Sequence, residues 1–187
     1  MAGRGLVTGF LAGCADALIR HNRSDLAAWL RRRRYRTSCQ IDTGVIVSHP
    51  AHFSAGDGCA LYHGTYVLNT DGRLIMGEHC HLGAYCYVNV ARGTIVLGSG
   101  VAIGPGTRII AYSNHYRAGR LVAEERITAD IRIGSNVFVG ANCVILPGST
   151  IADNVVVGAG SVVRGELETN AIYAGAPARK IREGWYG

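Results

Sequence analysis

His115 opens a polar segment, residues 114–126, in which the otherwise regular pattern of the chain is lost. An imidazole titrates near neutral pH, so it suits the removal of a proton from a hydroxyl. Irregular loops thrown out of a rigid scaffold often carry function. Glu124 and Glu125 lie near in sequence, and which carboxylate, if either, orients the ring stays open. A second irregularity is the run Tyr87-Val88-Asn89-Val90. There Asn89 is either a corner residue with left-handed backbone or a carboxamide able to donate to a developing oxyanion. Nothing resembles a nucleophile elbow or a Cys–His pair, so direct transfer without an acyl-enzyme is expected. His79, Cys80, His81 and Cys86 are residue types that bind zinc. Alternation along a strand turns both histidines away from Cys80, and no metal is expected.

The elements that must hold these residues follow a period of six. Ile127, Ile133, Val139, Ile145, Ile151, Val157 and Val163 recur at that spacing, and all seven are expected to point inward. Four places after each comes Ile131, Val137, Cys143, Ser149, Val155, Ser161 or Leu167. The same frame holds at Met76, Leu82, Leu97 and Ile103, with weaker copies near Ile41, Ala55 and Leu61. It slips by three residues between Val88 and Ala91. Neither helical nor simple alternating periodicity explains this. Six residues suit one short strand and one corner, and three sides close a coil of about 18 residues. The corners need positive φ, which predicts the roles of Asn136, Asn142, Gly148, Asn154 and Gly160. Cys59, Cys80, Cys86 and Cys143 fall on the small inward position, so they read as reduced core thiols of a cytoplasmic protein.

These residues resemble the hexapeptide-repeat family, clearly over residues 75–183 and more weakly over 39–74. The resemblance implies a mainly β fold, a left-handed parallel β-helix, with an N-terminal helical arm. It implies three parts: a basic arm (1–38), the β-helix with an extruded loop near 114–126 (39–168), and a closing segment (169–187). In sugar O-acetyltransferases of this family a histidine follows a stretch like Ile103-Gly104-Pro105-Gly106-Thr107-Arg108-Ile109-Ile110 at the spacing of His115, and it is the catalytic base. An asparagine lies in a short irregular run ahead of that stretch, as Asn89 does. The run Val157-Gly158-Ala159-Gly160-Ser161 and the tail Ala171-Ile172-Tyr173-Ala174-Gly175-Ala176-Pro177 resemble the family's last coils, which bind acetyl-coenzyme A between subunits. Matching contact positions are Ala141, Ala159, Arg164, Arg179 and Arg182, the arginines being suited to phosphates. The resemblance therefore implies acetyl-coenzyme A as donor, a saccharide hydroxyl as acceptor, cell-surface polysaccharide or lipopolysaccharide biosynthesis, and a homotrimer. Two departures stand out. Phe138 occupies a position where many relatives carry Trp, and the acidic acceptor residues of galactoside and maltose enzymes have no match. Acetylation of an amino-sugar, an amino acid or an antibiotic remains an alternative, as does a non-catalytic assembly scaffold. A zinc carbonic anhydrase needs histidines after His115, and none follows.

Composition fits one domain with an arm. The 187 residues are 48% hydrophobic with 26 glycines and 4 prolines, which excludes disorder and collagen. The net charge of +6 resides in residues 1–36, with eight arginines against Asp16 and Asp25. In that arm Leu6, Val7, Phe10, Leu11, Cys14 and Leu18 share a helical face. A second helix is predicted from Ser24 as N-cap through Leu26, Trp29 and Leu30 into four arginines. The arm reads first as a cap on the open coil end and second as a basic segment resting on anionic lipid. Leu11-Ala12-Gly13-Cys14 resembles a lipoprotein cleavage site, but the apolar run before it is shorter than the usual ~7–15 residues. Nucleic acid is not an expected partner, because the body of the chain is neutral.

Overall fold

The computed structural model describes residues 25–35, 37–122 and 124–184. The apolar face from Leu6 to Leu18, Cys14 and the Ser24 cap lie outside the described residues. The predicted second helix is present as α1 (Asp25–Tyr35). From Gln40 onward the chain visits three parallel sheets in strict rotation.

The first sheet contains β1 (Gln40–Ile41), β4 (Ala60–Leu61), β7 (His81–Leu82), β10 (Ala102–Ile103), β15 (Phe138–Val139), β18 (Val155–Val157) and β21 (Ala171–Ala174). The second contains β2 (Ile46–Val47), β5 (Tyr66–Leu68), β8 (Tyr87–Asn89), β11 (Arg108–Ile110), β16 (Val144–Ile145) and β19 (Val162–Val163). The third contains β3 (Phe53–Ala55), β6 (Arg73–Met76), β9 (Thr94–Leu97), β14 (Ile131–Ile133), β17 (Thr150–Ile151) and β20 (Glu166–Leu167). An antiparallel strand, β22 (Arg179–Glu183), closes the far end on β21.

Register stacks the leading aliphatics into columns. In the first sheet Leu82, Ile103, Val139 and Val157 lie over one another, and in the second Val88, Ile109, Ile145 and Val163. In the third the column is Leu97, Ile133, Ile151 and Leu167. All are buried, and burying each such side chain contributes about 1.5–3 kcal/mol. Two expectations fail. Leu167, expected at the position four after Val163, takes a leading place over Ile151 instead. Ile127 is 44% exposed and belongs to a hairpin, β12 (Tyr112–Asn114) with β13 (Arg126–Thr128), that stands outside the coil. Its place in the six-step series is coincidental, and Ile131 is the first buried aliphatic after the hairpin.

The corners behave as their residue types require. Asn136, Asn142, Gly148, Asn154 and Gly160 all have positive φ. Gly140 serves a different need, because a Cβ there would lie 2.5 Å from the Ala159 backbone nitrogen. The small inward positions also satisfy corner carbonyls of the next coil. The thiol of Cys80 donates to Gly98 O at 2.9 Å and that of Cys59 to Gly77 O at 3.0 Å. Thr107 Oγ1 donates to Gly140 O at 3.0 Å and accepts from Cys143 N at 3.2 Å. Buried main-chain polar groups need such partners.

Candidate active site

The departures from the six-residue rhythm gather on the edge where the second sheet turns into the third. There the chain inserts the short 3-10 turn Pro50–His52, then residues 69–72, then residues 90–93, and finally the β12–β13 hairpin. Bonds between neighbouring coils record the insertions. They join residues 21 apart in the early coils (Glu78 to Ser99), 36 apart across the hairpin (Ser99 to Ser135), and 18 apart afterwards (Ser135 to Asp153).

Asn89 ends β8 on this edge and is 6% exposed. Its Nδ2 donates to Tyr87 Oη at 2.9 Å, and its Oδ1 accepts from Ala91 N at 3.1 Å. The corner reading of Asn89 is therefore wrong: the left-handed turn is made by Ala91, at φ 52°. Tyr87 in turn stacks on Tyr66 at 5.9 Å between ring centroids, which fixes the hydroxyl that receives the amide. One coil earlier Asn69 is wholly buried and clasps the preceding corner. Its Nδ2 donates to His49 O at 2.9 Å, and its Oδ1 accepts from His49 N at 2.9 Å. Sequence reasoning missed Asn69. The available signal was a polar residue just after a weak repeat copy.

Asn89 opens into a cavity of about 670 Å³ under the hairpin. Tyr112, Thr128, Glu124 and Arg126 wall it from the hairpin side, and Leu68, Asp71, Ala91 and Arg92 from the coil. Both signs of charge line it, and sequence reasoning had named neither Asp71 nor Arg92 and had read Arg126 only as part of the polar loop. His115 directly follows β12, where its backbone N–H donates to Glu125 O at 2.8 Å. Its side chain is exposed, lies outside the cavity lining, and has no hydrogen-bond partner for its ring among the described residues. The nearby carboxylates face arginines instead. Glu125 lies 3.4 Å from Arg117 and Glu124 lies 3.9 Å from Arg120.

The other expected binding positions divide between edges. Ala141 and Ala159 stack at successive corners between the first and second sheets, where Gly160 N donates to Ala141 O at 2.8 Å. Arg179 on β22 pairs with Ala174 beside the same edge, and Arg182 pairs with Ile172 farther along the sheet. Both arginines are exposed. Arg164 follows β19 and so shares the edge of Asn89 and His115. The structure thus brings Ala141, Ala159 and Arg179 together and keeps them apart from His115, Asn89 and Arg164.

The thiols are not placed for chemistry. Burial pushes Cys39 up to about 12 and Cys86 up to about 11, and raises Cys80 and Cys143 as well. A buried, protonated thiol is a poor nucleophile and a poor metal ligand. His79 sits exposed on a left-handed corner and His81 lies edge-on to Tyr62, both turned from the buried Cys80.

Comparison with known proteins bears on the fold. Residues 130–165 match the bacterial transferase hexapeptide (six repeats). Galactoside O-acetyltransferase of Escherichia coli (strain K12) is 36% identical over 112 residues, which is 57% of this chain and 55% of that protein. The chain thus spans about half the length of that relative. The same organism's protein named "Putative lipopolysaccharide biosynthesis O-acetyl transferase WbbJ" is 27% identical over 154 residues, 81% of this chain and 79% of its own. Among solved structures, a variant of the N-acyltransferase AntD from Bacillus cereus, in complex with dTDP-4-amino-4,6-dideoxyglucose and coenzyme A, superposes with a TM-score of 0.76. At 20% identity over 84% of this chain and 90% of that one, it speaks to the fold alone. By its repeat, its three-sheet coil and these relatives, the chain resembles the hexapeptide-repeat sugar O-acetyltransferases.

Proposed function

We propose that this chain is an acetyl-coenzyme A-dependent O-acetyltransferase whose acceptor is a saccharide hydroxyl, in cell-surface polysaccharide or lipopolysaccharide biosynthesis. The coil would be left-handed, as in the family. The observation that carries the reading is the position of Asn89: its buried carboxamide ends a strand beside a cavity roofed by the hairpin that bears His115.

In the proposed reaction the neutral imidazole of His115 takes the proton of the acceptor hydroxyl as its oxygen attacks the thioester carbonyl carbon. The carbonyl becomes a tetrahedral oxyanion, then collapses with release of the coenzyme A thiolate, which takes up the proton from His115. One N–H of the Asn89 amide is committed to Tyr87 Oη. Its second N–H is the donor offered to the oxyanion. The mixed lining of Asp71, Arg92, Glu124 and Arg126 suits a hydroxyl-rich acceptor.

Acetyl-coenzyme A would lie along the corner column of Ala141 and Ala159, with Arg179 and Arg182 toward its phosphates and Arg164 reaching it only from the opposite edge of a neighbouring copy. Within one chain the Ala141 column and the Asn89 cavity lie on different edges. A site joining them needs one edge from each of two neighbouring copies, as in a homotrimer. The outward column of the second sheet, Ile46, Tyr66, Tyr87, Arg108, Val144 and Val162, is apolar but for the exposed Arg108 and gives such copies a side to share.

Thiol release in the presence of acetyl-coenzyme A, screened over sugars and nucleotide-sugars, tests the reading. His115→Ala is expected to lose about 10²–10⁴ in turnover while donor binding by calorimetry is retained. Near-normal turnover removes His115 from the mechanism. Transfer to amino-sugars alone turns the assignment to N-acetylation, and no donor binding by the native protein leaves the scaffold reading.

A further inference from the structure

The N-terminal end of the coil carries a surface that the acetyl-transfer reading does not use. Helix α1 has two unlike sides. Ala27, Arg31 and Tyr35, four residues apart, are buried against the first coil. Arg31 Nε donates to Ile41 O at 2.8 Å, which ties the helix to the first coil. The opposite side shows Leu26 at 65% and Trp29 at 52% exposure. The Arg33 guanidinium lies over the Trp29 ring, 5.4 Å from its centroid. Trp29, Arg32, Arg33 and Thr37 line a recess of about 370 Å³, and Arg34 adds a further exposed charge.

The charge is also local. Residues 37–187 hold 11 basic and 11 acidic side chains, so the whole excess of +6 belongs to the first 36 residues. An exposed indole and leucine beside clustered arginines, on an otherwise neutral molecule, complement an interface that is apolar beneath and anionic at its surface. Among the described residues no helix is long and apolar enough to cross a membrane.

We infer that the outer face of α1 docks this protein on anionic phospholipid, with lipid phosphate in the recess between Arg32 and Arg33 and the Trp29 ring at headgroup depth. The inference stands apart from the acetyl-transfer reading, since it requires no catalysis.

Flotation of the full chain with vesicles tests it. The protein is expected to float with vesicles containing phosphatidylglycerol and to stay behind with phosphatidylcholine alone. Arg32→Gln with Arg33→Gln should lower the partition coefficient roughly 25-fold, at about fivefold per charge, with the melting temperature unchanged. If that variant does not fold, the salt dependence of the native protein decides: binding that persists at about 0.5 M salt overturns the proposal. So does equal flotation with neutral vesicles, undiminished flotation of a folded variant, or absence of flotation while duplex DNA is bound.

Discussion

At the scale of single residues, the site turns on what holds Asn89. Its amide is oriented by Tyr87 on one side and Ala91 N on the other. Under the proposed mechanism, Asn89→Ala should cost about 10²–10³ in turnover. Tyr87→Phe keeps the ring stacked on Tyr66 and removes only the acceptor, so it should cost much less and leave the KM for donor unchanged. Steady-state kinetics of the two variants compares them. Equal losses would make Tyr87 more than a positioning residue, and full activity of Asn89→Ala would remove the amide from the oxyanion site. The position of Asn89 was legible in the sequence, because a broken rhythm is visible as a break. Its backbone was not. Whether Asn89 or Ala91 takes the left-handed turn depends on where strand pairing with Leu68 and Ile110 stops, which is a contact across coils. Asp71, Arg92 and Tyr112 were illegible for the same reason: only the fold brings residues from three coils to one cavity.

At the scale of elements, glycines that look alike in the repeat do different work. Gly140 follows a buried valine and lies under the next coil, so Gly140→Ala drives a Cβ to within 2.5 Å of main chain. Gly160 has φ 71° and open space where its Cβ would go. Gly160→Ala should therefore lose only the backbone preference, about 1–2 kcal/mol. Gly140→Ala should lose more, because two stacked backbones must separate. Urea unfolding of both variants measures the difference, and equal losses would contradict the close stacking seen here. The repeat made these strands, corners and buried thiols readable. It misassigned Ile127, since periodicity alone does not distinguish an inward strand from a hairpin that happens to keep step.

At the scale of the molecule, the coil ignores its own insertion. Ala102 and Ile103 pair with Phe138 and Val139 as neatly as those pair with Val156 and Val157, although the first pairing spans the hairpin. At the hairpin's root Ala129 N donates to Ala111 O at 3.0 Å, so the two ends of the excursion already meet. Replacing residues 112–128 with a short glycine link should leave the thermal midpoint nearly unchanged and abolish acetyl transfer. A large fall in the midpoint would show that the hairpin supports the scaffold. The architecture was legible because every coil repeats one solution to the same packing problem. The N-terminal helix was read from the sequence as a cap on the coil end, but the Arg31 bond to Ile41 that fastens it was not legible, since it joins residues outside the repeat.

The confinement of the insertions to a single edge has a further consequence. Two of the three sides are tied to a fixed stride, and any residue added there would throw every later layer out of step. The remaining edge lets chain be added or removed between layers at little cost to the rest. Substrate choice can therefore drift at that seam while the prism beneath it stays the same.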